Sequence, residues 1–311
     1  GTYSATMPTI TNVSSFTVTV RASKAGYKTQ STTQTVKVNK ANGNLTLSSY
    51  SGILTYPNSG TFSVSGNTGN LSVSSSNTNV VTVSLSGNTV TIIPKTREGS
   101  ATITVKSAAS ANYTEKSVTY NVTVQLPYFT ASSGVGYYAD VDGNGTVDGV
   151  IFEDFKVGGS GSWGNRNGTY TIPTVSGTKE YYISKTNYSG PFGTKDVLSA
   201  KGSGNNRFYV MALSDVGNDT YSWSEGKGLE SNGWIMPERN EWAAFLGNLK
   251  ISESNYKSCG LKGEYWSSTK ADDSLVWTAQ FTTVENYNGY FVKTLYKYDY
   301  YRRSVRFCKK F

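Results

Sequence analysis

"PERNEWAAFLGNLK" (Pro237–Lys250) carries the one convincing helical signal in this 311-residue chain. Trp242, Phe245, Leu246 and Leu249 recur at i, i+3, i+4 and i+7 and form a single apolar stripe. Pro237 suits the first helical turn, where its missing N–H costs nothing. Glu238 and Glu241 sit near the positive end of the helix dipole and Lys250 at the other end. Strands and turns flank this helix, so its neighbourhood reads as an α+β domain. All six tryptophans lie beyond Leu126, together with most of the charged residues.

Upstream the pattern changes to strands alone. "FTVTVRAS" (Phe16–Ser23) and "TQTVKVNK" (Thr33–Lys40) alternate apolar with polar residues, as half-buried strands do. "NVVTVSLSGNTVTIIP" (Asn79–Pro94) reads as a hairpin turning at Ser86-Gly87-Asn88. "SATITVKS" (Ser100–Ser107) and "VTYNVTVQ" (Val118–Gln125) continue with the same period. Short strands at regular spacing with turn signals between them predict a β-sandwich. The fold class expected is therefore multidomain, all-β first and α+β after.

Composition narrows the chemistry. The chain has no histidine, which removes Ser/His and Cys/His nucleophilic pairs, His-ligated zinc and imidazole bases together. The net charge of +8 is unevenly held: residues 1–44 carry +5, 45–126 carry +2 and 127–311 only +1. The basic residues of the first segment (Arg21, Lys24, Lys28, Lys37, Lys40) are scattered among Thr and Ser, whereas nucleic-acid binding needs a clustered stripe. No nucleic-acid partner is expected. No apolar run approaches the ~20 residues that cross a bilayer as a helix, so no direct membrane insertion is expected.

Three features of the second half point to sites. "ADVDGNGTVDGVIFED" (Ala139–Asp154) has the D-x-D-x-N-G spacing of a tight loop that converges oxygen ligands on a hard cation. The ligands expected are Asp140, Asp142, Asn144, the Thr146 carbonyl and Asp148, holding a structural Ca²⁺. The twelfth position is Ile151, where an EF-hand has its bidentate Glu, so Glu153 or Asp154 would have to substitute. The alternative is an Asx-rich turn held by its own side-chain to backbone hydrogen bonds. Cys259 and Cys308 are the only cysteines and read either as a disulfide or as two free thiols.

The third feature is "VENYNGYFVKTLYKYDYYRRSVRF" (Val284–Phe307), which holds six tyrosines. Large, stiff rings tipped with a hydroxyl and mixed with Asn and Gly are what binding surfaces use. The expected ligand contacts are Asn286, Tyr287, Asn288, Tyr290, Lys293, Tyr296, Tyr298, Tyr300, Tyr301 and Arg302. Tyr296, Tyr298 and Tyr300 alternate, so in one strand they share a face, with Lys293 and Arg302 as a charged rim. Val305 and Phe307 read as inward residues of the last strand. Tyrosines that fill the core are the competing account.

Two family resemblances sharpen this. The stretch Leu45–Val124, with its core "SSSNTNVVTVS … GNTVTIIPKTREGSATITV", resembles bacterial Ig-like domains of group 2. It implies a domain over 43–126, with 1–42 as part of a neighbouring repeat in a tandem array. "GWIMPERNEWAAFLGNLK" with "EYWSS" and the final "SVRF" is similar to prokaryotic C-type-lectin-fold domains. These are the kind found in diversity-generating retroelement variable proteins, which read W-x-x-P-x-x-x-E-W…Y-W-S-S…V-R. That resemblance covers nearly all of 127–311, implies a ligand-binding domain over that range, and implies that Trp234, Trp242, Tyr265 and Trp266 are scaffold. It also implies that the strands before the V-R segment present a ligand. Template-adenine mutagenesis in such systems turns Asn-type codons into Tyr, Asp, Ser and others, and the Asn, Tyr and Asp richness of 286–301 fits this.

The function expected is a surface-exposed adhesin or receptor-binding protein, extracellular on a cell surface or phage virion. An Ig-like stalk would display a C-type-lectin-fold head that binds a host or bacterial surface protein or a glycan. A structural pilus or fibre subunit is the main alternative. An enzyme related to formylglycine-generating enzymes shares the fold, but those motifs are missing, so no enzymatic activity is expected.

Overall fold

The computed structural model describes residues 9–164, 168–202, 205–281, 298 and 300–311, and the backbone of 291–296. The chain divides into two compact units, Gly1–Leu126 and Pro127–Phe311.

The first unit is built by alternation. Strands β1 (Ser14–Ala22) and β2 (Gln30–Val38) form an antiparallel ladder in register from Ser14↔Val38 to Ala22↔Gln30. Phe16, Val18, Val36 and Val38 are half-buried along one face, and the rest of both strands is exposed. Eight more strands follow: β3 (Thr46–Leu47), β4 (Ser51–Thr55), β5 (Gly60–Ser65), β6 (Leu71–Ser75), β7 (Val81–Ser86), β8 (Thr89–Pro94), β9 (Gly99–Ser107) and β10 (Lys116–Gln125). They make two four-stranded sheets, ordered β4-β10-β9-β6 and β3-β5-β8-β7. All ladders are antiparallel except β10 against β4. Val81, Val90, Ile92, Ile103, Val105, Val122 and Val124 are buried together in one core, and the Phe62 and Tyr120 rings stack at 4.5 Å within it. The hairpin expected over Asn79–Pro94 is β7–β8. Gly87 opens its two-residue turn at φ 55°, a conformation that favours glycine.

Among the described residues, the second unit mixes sheets with two helices. Its strands are β11 (Tyr138–Ala139), β12 (Gly149–Asp154), β13 (Gly159–Ser162), β14 (Thr169–Ile172), β15 (Glu180–Gly190), β16 (Gly193–Lys201), β17 (Phe208–Ala212), β18 (Glu264–Lys270), β19 (Leu275–Gln280), β20 (Phe291–Tyr296) and β21 (Cys308–Lys310). A six-stranded sheet runs β15-β16-β11-β12-β17-β21, and a three-stranded antiparallel sheet runs β18-β19-β20. Strands β13 and β14 form a hairpin.

Helix α2 (Arg239–Asn248) is the one predicted, shortened at both ends. Pro237 stands before the helix, Glu238 is the N-cap, and Lys250 lies past the end at φ 54°. The helix is clamped by side chains on several sides. Trp242 Nε1 donates to the Trp266 carbonyl at 3.0 Å, and Asn248 Nδ2 donates to the Phe152 carbonyl at 2.8 Å. Tyr170 donates to Asn248 Oδ1 and Trp163 to Asn240 Oδ1. Phe245 meets Phe152 edge to face at 5.7 Å. Trp242, Ala243, Ala244, Phe245 and Leu246 are fully buried, whereas Leu249, the last residue of the expected stripe, is half-buried.

Helix α1 (Trp223–Gly228) was not foreseen. It is six residues long and contains two glycines, which weakens the propensity signal. Its start is nevertheless written as Ser222-x-x-Glu225. The Ser222 hydroxyl accepts from the Glu225 N–H, and the Glu225 carboxylate accepts from the Ser222 N–H, a complete capping box. Among the described residues no helix is long and apolar enough to cross a membrane.

Candidate functional site

The C-terminal tyrosines are the first place to look, and the structure rearranges the expected face. Asn286, Tyr287, Asn288 and Tyr290 lie outside the described residues. Lys293 and Tyr296 belong to β20, opposite Thr278 and Leu275 of β19. That strand ends at Tyr296, so Tyr298 and Tyr300 do not continue it. They stand in a turn instead, closed by the Tyr301 N–H donating to the Tyr298 carbonyl at 2.9 Å. Tyr301 packs against the buried cluster of Met236, Trp266, Val276, Val305 and Phe307.

The three rings still gather. Tyr298 lies 5.5 Å from Tyr300 and 6.5 Å from Tyr301, both near parallel, and Tyr300 lies 4.5 Å from Tyr301. Tyr300 is 71% exposed and Tyr298 47%. Arg302 is not a free rim charge. Its Nε donates to the Thr220 carbonyl at 3.0 Å and its Nη2 pairs with Glu225 at 3.1 Å, the same carboxylate that caps α1. Arg302 and the capping box thus fix the turn from below, while Tyr298 and Tyr300 face solvent. Val305 and Phe307 are buried as expected, although the last strand begins only at Cys308. Trp242, Tyr265 and Trp266 are fully buried and Trp234 half-buried.

The acidic loop joins β11 to β12. Oxygen atoms of Asp140, Asp142 and Asp148 lie within 4.8 Å of one another. The loop also bonds itself. The Asn144 N–H donates to Asp140 and Asp142 at 3.1 Å each, the Gly145 N–H donates to Asp140 at 2.9 Å, and the Thr146 N–H donates to Asn144 Oδ1 at 2.7 Å. Asn144 Nδ2 reaches Asp142 as well. Asp140 is buried and accepts from Ser199. Burial raises the Asp140 and Asp148 carboxyls above their ordinary range despite these bonds. Three anionic groups gathered this closely fit a hard cation, and the Asx turns present them. The two substitutes suggested for a twelfth ligand are both engaged elsewhere. Asp154 forms a buried bidentate pair with Arg207 (2.8 and 2.9 Å), and Glu153 faces a cavity described below.

The disulfide alternative is not realised. Cys259 and Cys308 are both buried free thiols. Burial raises both thiol pKa values, Cys308 far above the ordinary value, which disfavours the thiolate a nucleophile needs.

One constellation escaped the sequence reading altogether. A cavity of about 600 Å³ is lined by Glu153 of β12, Tyr170 of β14, Tyr209 of β17, Glu241 of α2, Lys309 and Lys310 of β21, and neighbouring side chains. The available signal was the pair of carboxylates, Glu153 and Asp154, that directly follows the apolar run "GVIF".

No family model matches this chain, and no curated protein matches it. Among solved structures, domains 4 and 5 of the S-layer protein SbsC share 33% identity over 34% of this chain, with a TM-score of 0.24. Domains 1–6 of the surface layer protein SbsC share 26% identity over 64% of this chain, with a TM-score of 0.25. Domains 4–9 share 24% over 63%, with a TM-score of 0.24. This chain spans 65% of the first of those structures, 26% of the second and 32% of the third. TM-scores this low describe no common overall fold, and these likenesses carry no argument about function.

Proposed function

We propose that the second unit is a binding module of the prokaryotic C-type-lectin type, in a surface-displayed adhesin or receptor-binding protein with an Ig-like stalk. Its contact surface is formed by Tyr298, Tyr300 and their neighbours Tyr301 and Arg302, and its partner is a surface protein or a glycan. One observation carries the reading: two large rings stand in solvent, stacked on each other and on a third ring that is anchored in the core. Stacking holds them in place before a partner arrives, which lowers the ordering cost of binding. Tyrosine also offers apolar area and a hydrogen bond at low side-chain entropy cost.

Two supporting assignments go with it. The acidic loop holds a structural Ca²⁺ through Asp140, Asp142 and Asp148, with Asn144 and the Thr146 carbonyl completing the set. The module is read as a binding module rather than an enzyme; both cysteine thiols are buried and hard to ionise. The test is a panel of surface proteins and glycans probed with the full chain and with Tyr298→Ala/Tyr300→Ala. Capture by the native chain that the double variant loses supports the proposal. A native chain that captures nothing supports the fibre-subunit reading instead.

A further inference from the structure

The geometry points to a second binding site: the cavity lined by Glu153 takes a small organic cation of the alkylammonium or guanidinium class. Glu153 is its anionic contact, and Phe155, Tyr170 and Tyr209 are the walls for the apolar stem. The site shares no residue with the tyrosine turn or the acidic loop, and it does not rest on the function proposed above.

The first ground is an unpartnered carboxyl. Glu153 is 6% exposed and lines the cavity, yet it makes no side-chain hydrogen bond or ion pair with any described residue. The other buried charged groups of this unit are all engaged: Asp140 with loop N–H groups, Asp154 with Arg207, and Arg306 with Asp215. Buried carboxylates are normally paired, because an unpaired one loses its hydration without compensation. Glu153 alone keeps its acceptor atoms free, and they face open space of small-molecule size.

The second ground is the lining. Lys310 Nζ lies 5.7 Å from the Phe155 ring and 6.0 Å from the Tyr209 ring, so these faces already accept an ammonium group at the rim. A metal ion is the wrong occupant. Among the described residues only Asp140, Asp142 and Asp148 bring three acidic side chains close enough to share one, and Glu153, Glu238 and Glu241 do not. An occupant with a charged head and a carbon stem fits the spacing better than a point charge.

The charge balance supplies a signature. Glu153 is pushed up to about 8 by burial first and by the Glu241 charge second, opposed by Lys310. Glu241 is pushed up to about 7 by burial and by Glu238. The groups facing Glu153 are Glu238 and Glu241 from α2, Tyr170 from β14, Tyr209 from β17, and Cys308, Lys309 and Lys310 from β21. The empty site therefore holds a neutral Glu153 at pH 7. Cation binding takes the carboxylate form and releases the proton to solvent. Affinity rises about tenfold per pH unit up to about pH 8 and then levels.

Calorimetry on the full chain tests this with two probes, n-butylammonium and a neutral-ended peptide with one internal lysine. Each is titrated at pH 6, 7 and 8 in two buffers of different ionisation heat. The expected result is binding in the millimolar range or tighter, with close to one proton released at pH 6 and loss of binding in Glu153→Gln. Binding of both probes assigns the site to free amines and side chains alike; binding of the peptide alone assigns it to a protein partner. Glutamine mimics the neutral acid, so the variant should melt like the native chain at about pH 4.5 or below, where Glu153 is protonated in both states. The native proton count stands as an independent readout if it does not. Failure of both probes to bind below about 10 mM overturns the proposal. So does binding with no proton release, or binding that a folded Glu153→Gln retains.

Discussion

The two units solve the burial problem in different ways. In the first, Ser107 is the only buried polar residue among those described, and every other buried position is apolar. Its strands alternate, its core is one cluster, and its polar groups face out. In the second, Asp140, Glu153, Asp154, Arg207 and Arg306 are all more than nine-tenths buried. Charge taken out of water needs a partner or a purpose. Arg207 and Asp154 partner each other and also hold the Ser132 carbonyl and the Gly134 N–H. Arg306 is paired with Asp215, which also accepts from the Tyr265 hydroxyl. The difference teaches that the first unit can be built from periodicity alone, whereas the second depends on particular side chains.

The contrast breaks most sharply at the buried pair. Asp154→Ala strands Arg207 and should cost about 3–5 kcal/mol of second-unit stability, read by chemical denaturation. Surface ion pairs of the first unit should be nearly silent. Breaking Lys106–Glu115, half-exposed on both sides, should change stability by well under about 1 kcal/mol.

Next comes a pH dependence. The folded-state pKa of Glu153 is about 8, above its ordinary 4.5. The folded state therefore holds this proton more tightly than the unfolded state does. Below about pH 4.5 both states are protonated and nothing is lost. Stability then falls as pH rises toward about 8, and the loss is complete above it. Glu153→Gln should remove that slope, leaving the variant about 3 kcal/mol more stable than the native chain at pH 7 and within about 1 kcal/mol of it at pH 5. Equal pH profiles would show that Glu153 is solvated.

What was legible in the sequence follows the same division. The Val81–Ser86 and Thr89–Pro94 hairpin needed only local alternation and a glycine turn, and it stands where the pattern put it. The Arg239–Asn248 helix was legible from its stripe and lost only its ends. Three features were not legible. The strand expected to carry Tyr296, Tyr298 and Tyr300 ends at Tyr296, and beyond it Tyr301 packs against the cluster that holds Met236 and Trp266. The Ser222–Glu225 capping box was present in the sequence, but the helix it opens is too short to show a period. The register shift between Ile151 and Glu153 interrupts the simple pairing of β12 with β17, and no periodic pattern announces it.

A smaller effect sharpens the comparison at the acidic loop. If Asp140, Asp142 and Asp148 hold Ca²⁺, adding the ion at a hundredfold excess over its Kd stabilises the second unit by about 2.7 kcal/mol, and EDTA reverses it. The first unit should be indifferent to both. An identical melt with and without chelator would leave the loop as a self-bonded Asx turn.

The smallest change in stability belongs to the residues given the largest role in binding. Tyr298 and Tyr300 face solvent, so replacing both with alanine should alter the melt by no more than about 0.5 kcal/mol each. Central aromatic anchors cost about 2 kcal/mol or more of binding when truncated. The decisive measurement is therefore a paired one on Tyr298→Ala/Tyr300→Ala: a thermal melt, and retention on whichever partner the native chain captures. The account predicts an unchanged melt with retention reduced at least tenfold. A variant that unfolds would make the rings structural, and a stable variant that binds as the native chain does would place the contact surface elsewhere.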